Sequence, residues 1–483
     1  MILSIYKSRV KAERGDNVSL AVIGGKKHRS IDMCNGPILK KAIIFAVPVL
    51  ITSILQLLFN AADLMVVGNF CGSDSVAGVG ATTSLCSFFV NVFLGISSGV
   101  GVAVANAIGA KDKERVKKTV HTAIPLAAVC GGIINLCLFV FADPMLTLMD
   151  TPDDIIGLSV LYMKIYAFGM LPSMVYNFAA AILRAKGDTV RPLMYLTVAG
   201  IVNVALNLIF VIWFDMDVAG VALATSLSKV VSAVWVVSDL MRREDECKFV
   251  FSKMRFYAAP IKKILAIGVP AGIQSSMFSL SNITIQSSVN SFSSEAVAGA
   301  AAGQSIDAFS ATASTAMQQT ALNFTGQNFG AKKYDRIIRV WLVCTACVVV
   351  SEFVFGTVIN IFSKPLLSLY VTDSAVALSY GAKRMAFVSG FHFIMGAMNV
   401  VASSIRGMGY SVSTMVLSLI SNCGLRIIWV MTVFKHFRSS KYAWEILYCI
   451  YPISWILVFV AMTVILFVIV NKYRRKKEEQ PCV

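Results

Sequence analysis

Long apolar runs alternate with short polar breaks along almost the whole chain. Runs of roughly 20 residues, the length a helix needs to cross bilayer hydrocarbon, recur twelve times. They fall at 42–67, 76–107, 119–142, 156–181, 192–213, 217–241, 264–290, 297–328, 340–362, 376–402, 411–434 and 447–471. Two of them, 76–107 and 297–328, exceed one span and are expected to tilt or to project past the membrane. Only helices and closed barrels satisfy their backbone in lipid, and runs this long exclude a barrel. The pattern predicts an all-α polytopic membrane protein of twelve transmembrane helices. Composition agrees, with 57% hydrophobic and only 14% charged residues and a mean hydropathy of +0.73.

The net charge of +17 raises the question of nucleic acid, and its placement answers it. Lys and Arg concentrate in alternate connections: 34 in the set 1–41, 110–118, 184–191, 242–263, 331–339, 403–410 and 471–483, against four in the other set. This is the positive-inside asymmetry of a cell-membrane protein with both termini cytoplasmic; a nucleic-acid binder gathers its charge on one folded face. The loop "KHFRSSKYAWE", with Lys435, Arg438 and Lys441, departs from the rule. No signal peptide is visible, since "VSLAVIGG" is too short for a secretory core, and Met33 is an alternative start. The eleven cysteines lie mostly inside the apolar runs, the one CxxC spacing (Cys344 and Cys347) included, and read as small packing residues.

A shift of 222 residues brings "KKAIIFAVP" (40–48) onto "KKILAIGVP" (262–270) and Asn60 onto Asn282. A shift of 221 brings "IGAKDKERVKK" (108–118) onto "FGAKKYDRIIR" (329–339). Repeats in the same order at one offset mark an internal duplication. Six spans per half make it a parallel repeat, with a cavity expected between two lobes. The expected organisation is a cytoplasmic tail 1–41, an N-lobe 42–241, a linker 242–263, a C-lobe 264–471 and a cytoplasmic tail 472–483.

No P-loop, HExxH or CxxCH occurs, and the one GxSxG match, "GISSG" (95–99), lies inside an apolar run rather than at a strand-to-helix turn, so neither an ATP-driven pump nor an enzyme is expected. The chemistry lies in polar residues within the spans, which are functional by default. Asp63 shares a helical face with Asn60, Gln56 and Ser53. Asn203 and Asn207 are four apart and share a face, and Thr225 lies at comparable depth with Lys229 one turn below. One carboxylate among amides and a hydroxyl suits a proton or Na⁺ held by oxygen ligands. The mate of Asp63 in the second half is Ile285, so the charge is expected in the first half alone. Asp307, beside Gln304 and Ser305, is expected on the cavity wall; Glu352 is expected at a helix contact. Pro48 is expected to let the first helix bend.

"GPILKKAIIFAVPVLITSILQLLFNAADLMVVGNF", "IGAKD", "QNFGAKK", "ILRAKGD" and "VAGVALAT" together resemble the multidrug and toxic-compound extrusion family of secondary transporters, prokaryotic type, over about 35–470. The resemblance implies a two-lobed antiporter exchanging Na⁺ or H⁺ for organic, often cationic, compounds, monomeric, in contact with lipid and needing no cofactor beyond the coupling ion. It places the coupling acid on Asp63, with a possible Na⁺ there, its partners on Asn203, Asn207 and Thr225, and a cavity asparagine on Asn177. Gln56, Phe59, Asn60, Asn282 and Asp307 complete the expected substrate cavity. The chain departs from some relatives at Asn207 (a second aspartate there), at Phe59 (a tyrosine) and at Lys229 (an uncharged residue). A flippase for lipid-linked precursors is the alternative, and it would want more Arg and Lys in the cavity than Lys229, Lys383, Arg384 and Arg426.

Overall fold

The computed structural model describes residues 30–149, 151–371 and 374–479; most of the expected N-terminal tail, with "VSLAVIGG", and the last four residues lie outside them. The described residues form helices and no strand. They are α1 (Ile38–Phe70), α2 (Ser73–Gly109), α3 (Lys113–Thr147), α4 (Asp153–Phe168), α5 (Met170–Lys186), α6 (Val190–Trp213) and α7 (Asp217–Arg242) in the first half. The second half has α8 (Ala258–Val289), α9 (Ser294–Gly330), α10 (Tyr334–Ile361), α11 (Ala375–Val388), α12 (His392–Gly407), α13 (Ser411–Phe437) and α14 (Ala443–Glu478). The pairs α4–α5 and α11–α12 are each one crossing, bent by 44° and 41°. Counted so, there are twelve crossings, as the apolar runs require.

The two bends are the main difference from the sequence reading, which treats 156–181 and 376–402 as straight spans. The first has a local cause. Pro172 stands in the first turn of α5 and cannot donate a hydrogen bond back to Phe168, the last residue of α4. At the second, Ser389 and Gly390 occupy the break.

Among the described residues, ten of the crossings are apolar enough to be recognised by composition. The other two are α8 and α9, of which α9 is the more polar. On α9 every residue from Thr320 to Asn328 is buried, so protein rather than lipid surrounds that half, and it needs no apolar face. The two over-long runs are α2 and α9, each 37 residues, about 55 Å at 1.5 Å per residue.

The repeat is visible in backbone detail. Lys111 and Lys332, 221 residues apart, have φ of 57° and 54°, and Gly187 and Gly409, 222 apart, both have φ of 96°. The halves also cross symmetrically: α1 packs on α9, and α8 packs on α2. The second contact is a glycine seam. A Cβ on Gly95 would lie 2.1 Å from Gly272 N, and one on Gly99 would lie 2.3 Å from the Ile264 carbonyl oxygen. Small residues at four-residue spacing let helix backbones meet in this way. Nearer the loops at 110–112 and 331–333, Gly109 abuts the Gln327 carbonyl and Gly330 that of Asn106. These approaches run from the end of the bundle carrying the basic loops to about mid-helix, so the halves are sealed together at that basic end.

Two further devices brace the basic end. The segment Ile31–Gly36 reaches both halves: Ile31 N–H donates to the Gly187 carbonyl (3.2 Å), and the Met33 carbonyl accepts from Asn328 (3.1 Å) and Arg336 (3.3 Å). In the stretch joining α7 to α8, Arg243 lies against Asp188 (3.1 Å), Asp239 (3.2 Å) and Asp245 (3.2 Å), and Lys186 pairs with Glu246. Burial alone would raise the Glu246 carboxyl, but the hydrogen bond from Lys186, a backbone hydrogen bond and the charges of Lys186 and Lys113 together hold the group below its ordinary range.

Candidate functional site

Asp63 stands seven residues before the end of α1, about 10 Å from it, and is half-buried. The elements that supply its partners are α6 and α7, which pack on each other and on α1. Asn207 Nδ2 donates to Asp63 Oδ1 at 2.5 Å. The Thr225 hydroxyl donates to Oδ2 at 3.2 Å, and Asn203 Nδ2 donates in turn to Thr225 Oγ1 at 3.2 Å. Both oxygens of the carboxylate thus accept from a neutral donor. The four residues that the sequence grouped by depth and helical face form one connected network.

Its satisfaction is incomplete. Asn203 and Asn207 are buried, and the side-chain carbonyl oxygen of each has no hydrogen-bond partner among the described residues. Such orphaned acceptors are costly in a protein interior. Two bare carbonyl oxygens next to a carboxylate make a cluster rich in acceptors and short of donors, which fits a cation or a protonated acid. No group of three His, Cys, Asp or Glu suited to a metal occurs among the described residues; any bound ion here would rest on one carboxylate and neutral oxygens.

Lys229, one turn from Thr225, lies with Nζ 3.7 Å above the centre of the Tyr166 ring and with no hydrogen-bond acceptor among the described residues. Tyr166 itself stacks on Tyr162, centroids 5.8 Å apart. These two tyrosines of α4 line the ammonium's surroundings, and nothing in the linear sequence points to them.

The expected cavity residues divide. Gln56 and Asn60 are exposed on α1, and Asn177 is half-buried with its Nδ2 donating to the Ser173 carbonyl of its own helix (2.9 Å). Phe59 is packed: a Cβ on Gly200 of α6 would lie 1.9 Å from the ring. Asn282 Oδ1 accepts from Arg426 (3.2 Å), so the repeat mates Asn60 and Asn282 have different surroundings. Asp307, expected on the cavity wall, is instead buried, with Arg384 Nη1 2.6 Å from Oδ2 and the Ser389 hydroxyl donating to Oδ1. Its neighbours Gln304 and Ser305 are exposed, whereas Asp307 turns toward Arg384 of α11. Ile285, the mate of Asp63, is core. Glu352 is fully buried against His392.

Twelve crossings, a duplicated half and one acid held where α1, α6 and α7 meet define a two-lobed polytopic membrane protein of the multidrug-transporter fold. The MatE family model matches this chain twice, at residues 48–209 and 270–432, once per repeat and at the same offset of 222. The chain belongs to the MatE family. It is 25% identical over 415 residues to the probable multidrug resistance protein YoeA of Bacillus subtilis (strain 168), covering 82% of this chain and 87% of that one. YpnP of the same organism, also named a probable multidrug resistance protein, is 24% identical over 82% of this chain and 89% of its own length. A structure described as the outward-facing conformation of a multidrug resistance MATE family transporter of the MOP superfamily superposes with a TM-score of 0.86. It has 19% identity, over 93% of this chain and all of that one. At that identity the superposition speaks for the fold.

Proposed function

We propose that this chain is a secondary active efflux transporter. It exports small organic, often cationic, compounds in exchange for Na⁺ or H⁺, and Asp63 is the coupling site. The carrying observation is the acceptor-rich network: a half-buried carboxylate whose two oxygens take hydrogen bonds from Asn207 and Thr225, with two orphaned carbonyl oxygens beside it. Either coupling ion answers those orphans. A proton on Asp63 turns one carboxylate oxygen into a donor, and a rotated Asn207 amide presents the acceptor it needs. A Na⁺ instead binds the carboxylate together with the carbonyl oxygens of Asn203 and Asn207.

Ion and substrate then exclude each other through the same seam. Loading Asp63 removes its charge, changes its bonds to α6 and α7, and shifts the balance between the arrangement sealed at the basic end and one open there. Gln56 and Asn60, accessible on α1, and Asn177 face the substrate path. In this reading the basic end and both termini are cytoplasmic, with lobes at 42–241 and 264–471 joined by 242–263, and the protein acts as a monomer among lipids. The relatives' names agree in speaking of multidrug resistance. The flippase alternative lacks its cationic cluster. Lys229 is stacked on Tyr166, Arg384 and Arg426 are buried in the second half, and Lys383 pairs with Glu445 at 2.8 Å.

Dye efflux from cells expressing the chain, with a Na⁺ pulse and a pH pulse applied separately, tests the reading. One gradient drives efflux in the wild type, and Asp63→Asn abolishes it at unchanged expression. Efflux from Asp63→Asn equal to wild type removes Asp63 from the coupling step.

A further inference from the structure

We propose that Glu352 and His392 form a second proton-binding site, in the C-lobe and away from Asp63, set against the bend between α11 and α12. Glu352 comes from "VVSEFVFG", an otherwise apolar stretch of α10, and is fully buried. His392 is the first residue of α12 and is 4% exposed. Its Nδ1 lies 3.2 Å from Glu352 Oε2 and 3.5 Å from the Ser310 hydroxyl of α9. Gly396, one turn along α12, leaves the room: a Cβ there would stand 2.6 Å from Glu352 Oε2.

The surrounding groups are accounted for on every side. From α9 come Ser310, Ser314 and Asp307; Asp307 is already neutralised by Arg384 of α11 and bonded by Ser389 at the bend. From α14 come Tyr448, Tyr451 and Trp455. Arg384 lies 5.7 Å from the Tyr448 ring centre, and Arg426 of α13 lies 4.2 Å from that of Tyr451. The His392 ring meets Trp455 edge-on at 6.1 Å.

The contrast between the two acids assigns the role. Asp307 has a guanidinium and a hydroxyl, the dress of a permanently charged structural carboxylate. Neither oxygen of Glu352 has a well-formed hydrogen bond among the described residues, and the ionisable group beside it is an imidazole, the side chain that titrates near neutral pH. With one proton between them the pair is neutral in two ways: carboxylate with imidazolium, or carboxylic acid with imidazole. They differ by transfer of that proton between Nδ1 and Oε2. A second proton leaves a net positive charge at the N-terminus of α12, where the helix dipole opposes it. Loss of the only proton leaves a net negative charge in the interior. Either change strains the joint that Ser389 and His392 hold to α9 and α10, so proton occupancy is tied to the angle of the bend. Asp63 takes no part in this site.

Trp455 supplies the readout, because an imidazolium against an indole quenches its fluorescence. The full-length protein in liposomes is titrated from about pH 4.5 to about pH 9, across the histidine range, with Trp455→Phe subtracted to isolate the one indole. The expected result is a Trp455 signal that titrates in the wild type and in Asp63→Asn, has a displaced midpoint in Glu352→Gln, and vanishes in His392→Gln. In dye efflux, the Glu352→Gln pH profile is displaced from wild type while its dependence on Asp63 persists. A Trp455 signal flat across the range, or unchanged in His392→Gln, overturns the site. Superimposable efflux profiles overturn its part in transport. The wild-type and Trp455→Phe comparison needs neither acid nor imidazole variant to fold.

Discussion

Gly200 and Phe59 show how finely the seam beside Asp63 is fitted. The Phe59 ring occupies the space a side chain on Gly200 would need, one turn before the acid on α1 and one turn before Asn203 on α6. Gly200→Ala therefore forces the ring out and moves α1 from α6. Overpacking of this kind costs about 1–3 kcal/mol; the expected outcome is a lower unfolding temperature in detergent and gradient-driven efflux reduced at least about tenfold. Phe59→Leu in the same background restores room and part of the transport. Efflux at the wild-type level in Gly200→Ala would show that the coupling network tolerates a shifted seam. The sequence placed Asp63, Asn203, Asn207 and Thr225 together because helical period and depth along a span are one-dimensional quantities. It misplaced Asp307, because depth says nothing of which way a face turns once several helices surround it. Tyr166 under Lys229 was illegible for the same reason: the contact joins α4 to α7, about 60 residues apart in the chain.

At the scale of elements, the twelve crossings and the duplication were readable, since lipid demands long apolar runs and the repeat keeps its offset. The bends were not, since a bent crossing is as apolar as a straight one. Helix contacts were equally hidden, and the α2–α8 seam is the one most exposed to test. Gly272→Ala puts a methyl group within 2.3 Å of the Val92 carbonyl oxygen, where no flexible side chain can yield. The expected cost is again about 1–3 kcal/mol, but charged only to the arrangement in which the halves meet at the basic end. The variant thus populates the opposite arrangement, with substrate binding weakened from one side and strengthened from the other. Binding from each side of oriented proteoliposomes unchanged from wild type would mean that the seam persists throughout the cycle.

Across the whole molecule the two halves are joined by more than packing. The pairing of Lys186 with Glu246 ties the end of α5 to the stretch before α8. Because the Glu246 carboxyl is held below its ordinary value of 4.5, the folded form favours the carboxylate. Its contribution is complete at neutral pH and is lost as pH falls below about 4.5 through the lowered value. Hydrogen exchange over residues 244–250 is therefore expected to quicken, after correction for intrinsic rates, in acid but not between pH 6 and 8. Glu246→Gln should show the acid-like rate at pH 7. Arg243, against three carboxylates, is the harder clamp. Arg243→Ala leaves Asp245 without its cation and Asp188 and Asp239 with Arg191 alone, and is expected to cost about 1–3 kcal/mol, read as a fall in unfolding temperature.

The short segment ahead of α1 makes the protein its own conformational probe. Cys34 sits on it with Sγ 3.8 Å from the Gln327 side-chain oxygen of α9, at the line along which the halves must part. Burial, with Asp32 beside it, pushes this thiol above its ordinary range, so in the sealed arrangement little thiolate is present and what there is lies half covered. Parting the halves uncovers the sulfur and removes the burial that suppresses its ionisation. In a variant retaining only this cysteine, alkylation by a membrane-impermeant maleimide becomes a clock for the transport cycle. The rate is expected to rise several-fold with each condition that favours opening at the basic end, Gly272→Ala among them. No foreign label is needed, and a tag or partner fused ahead of residue 31 would be hung on the moving seam.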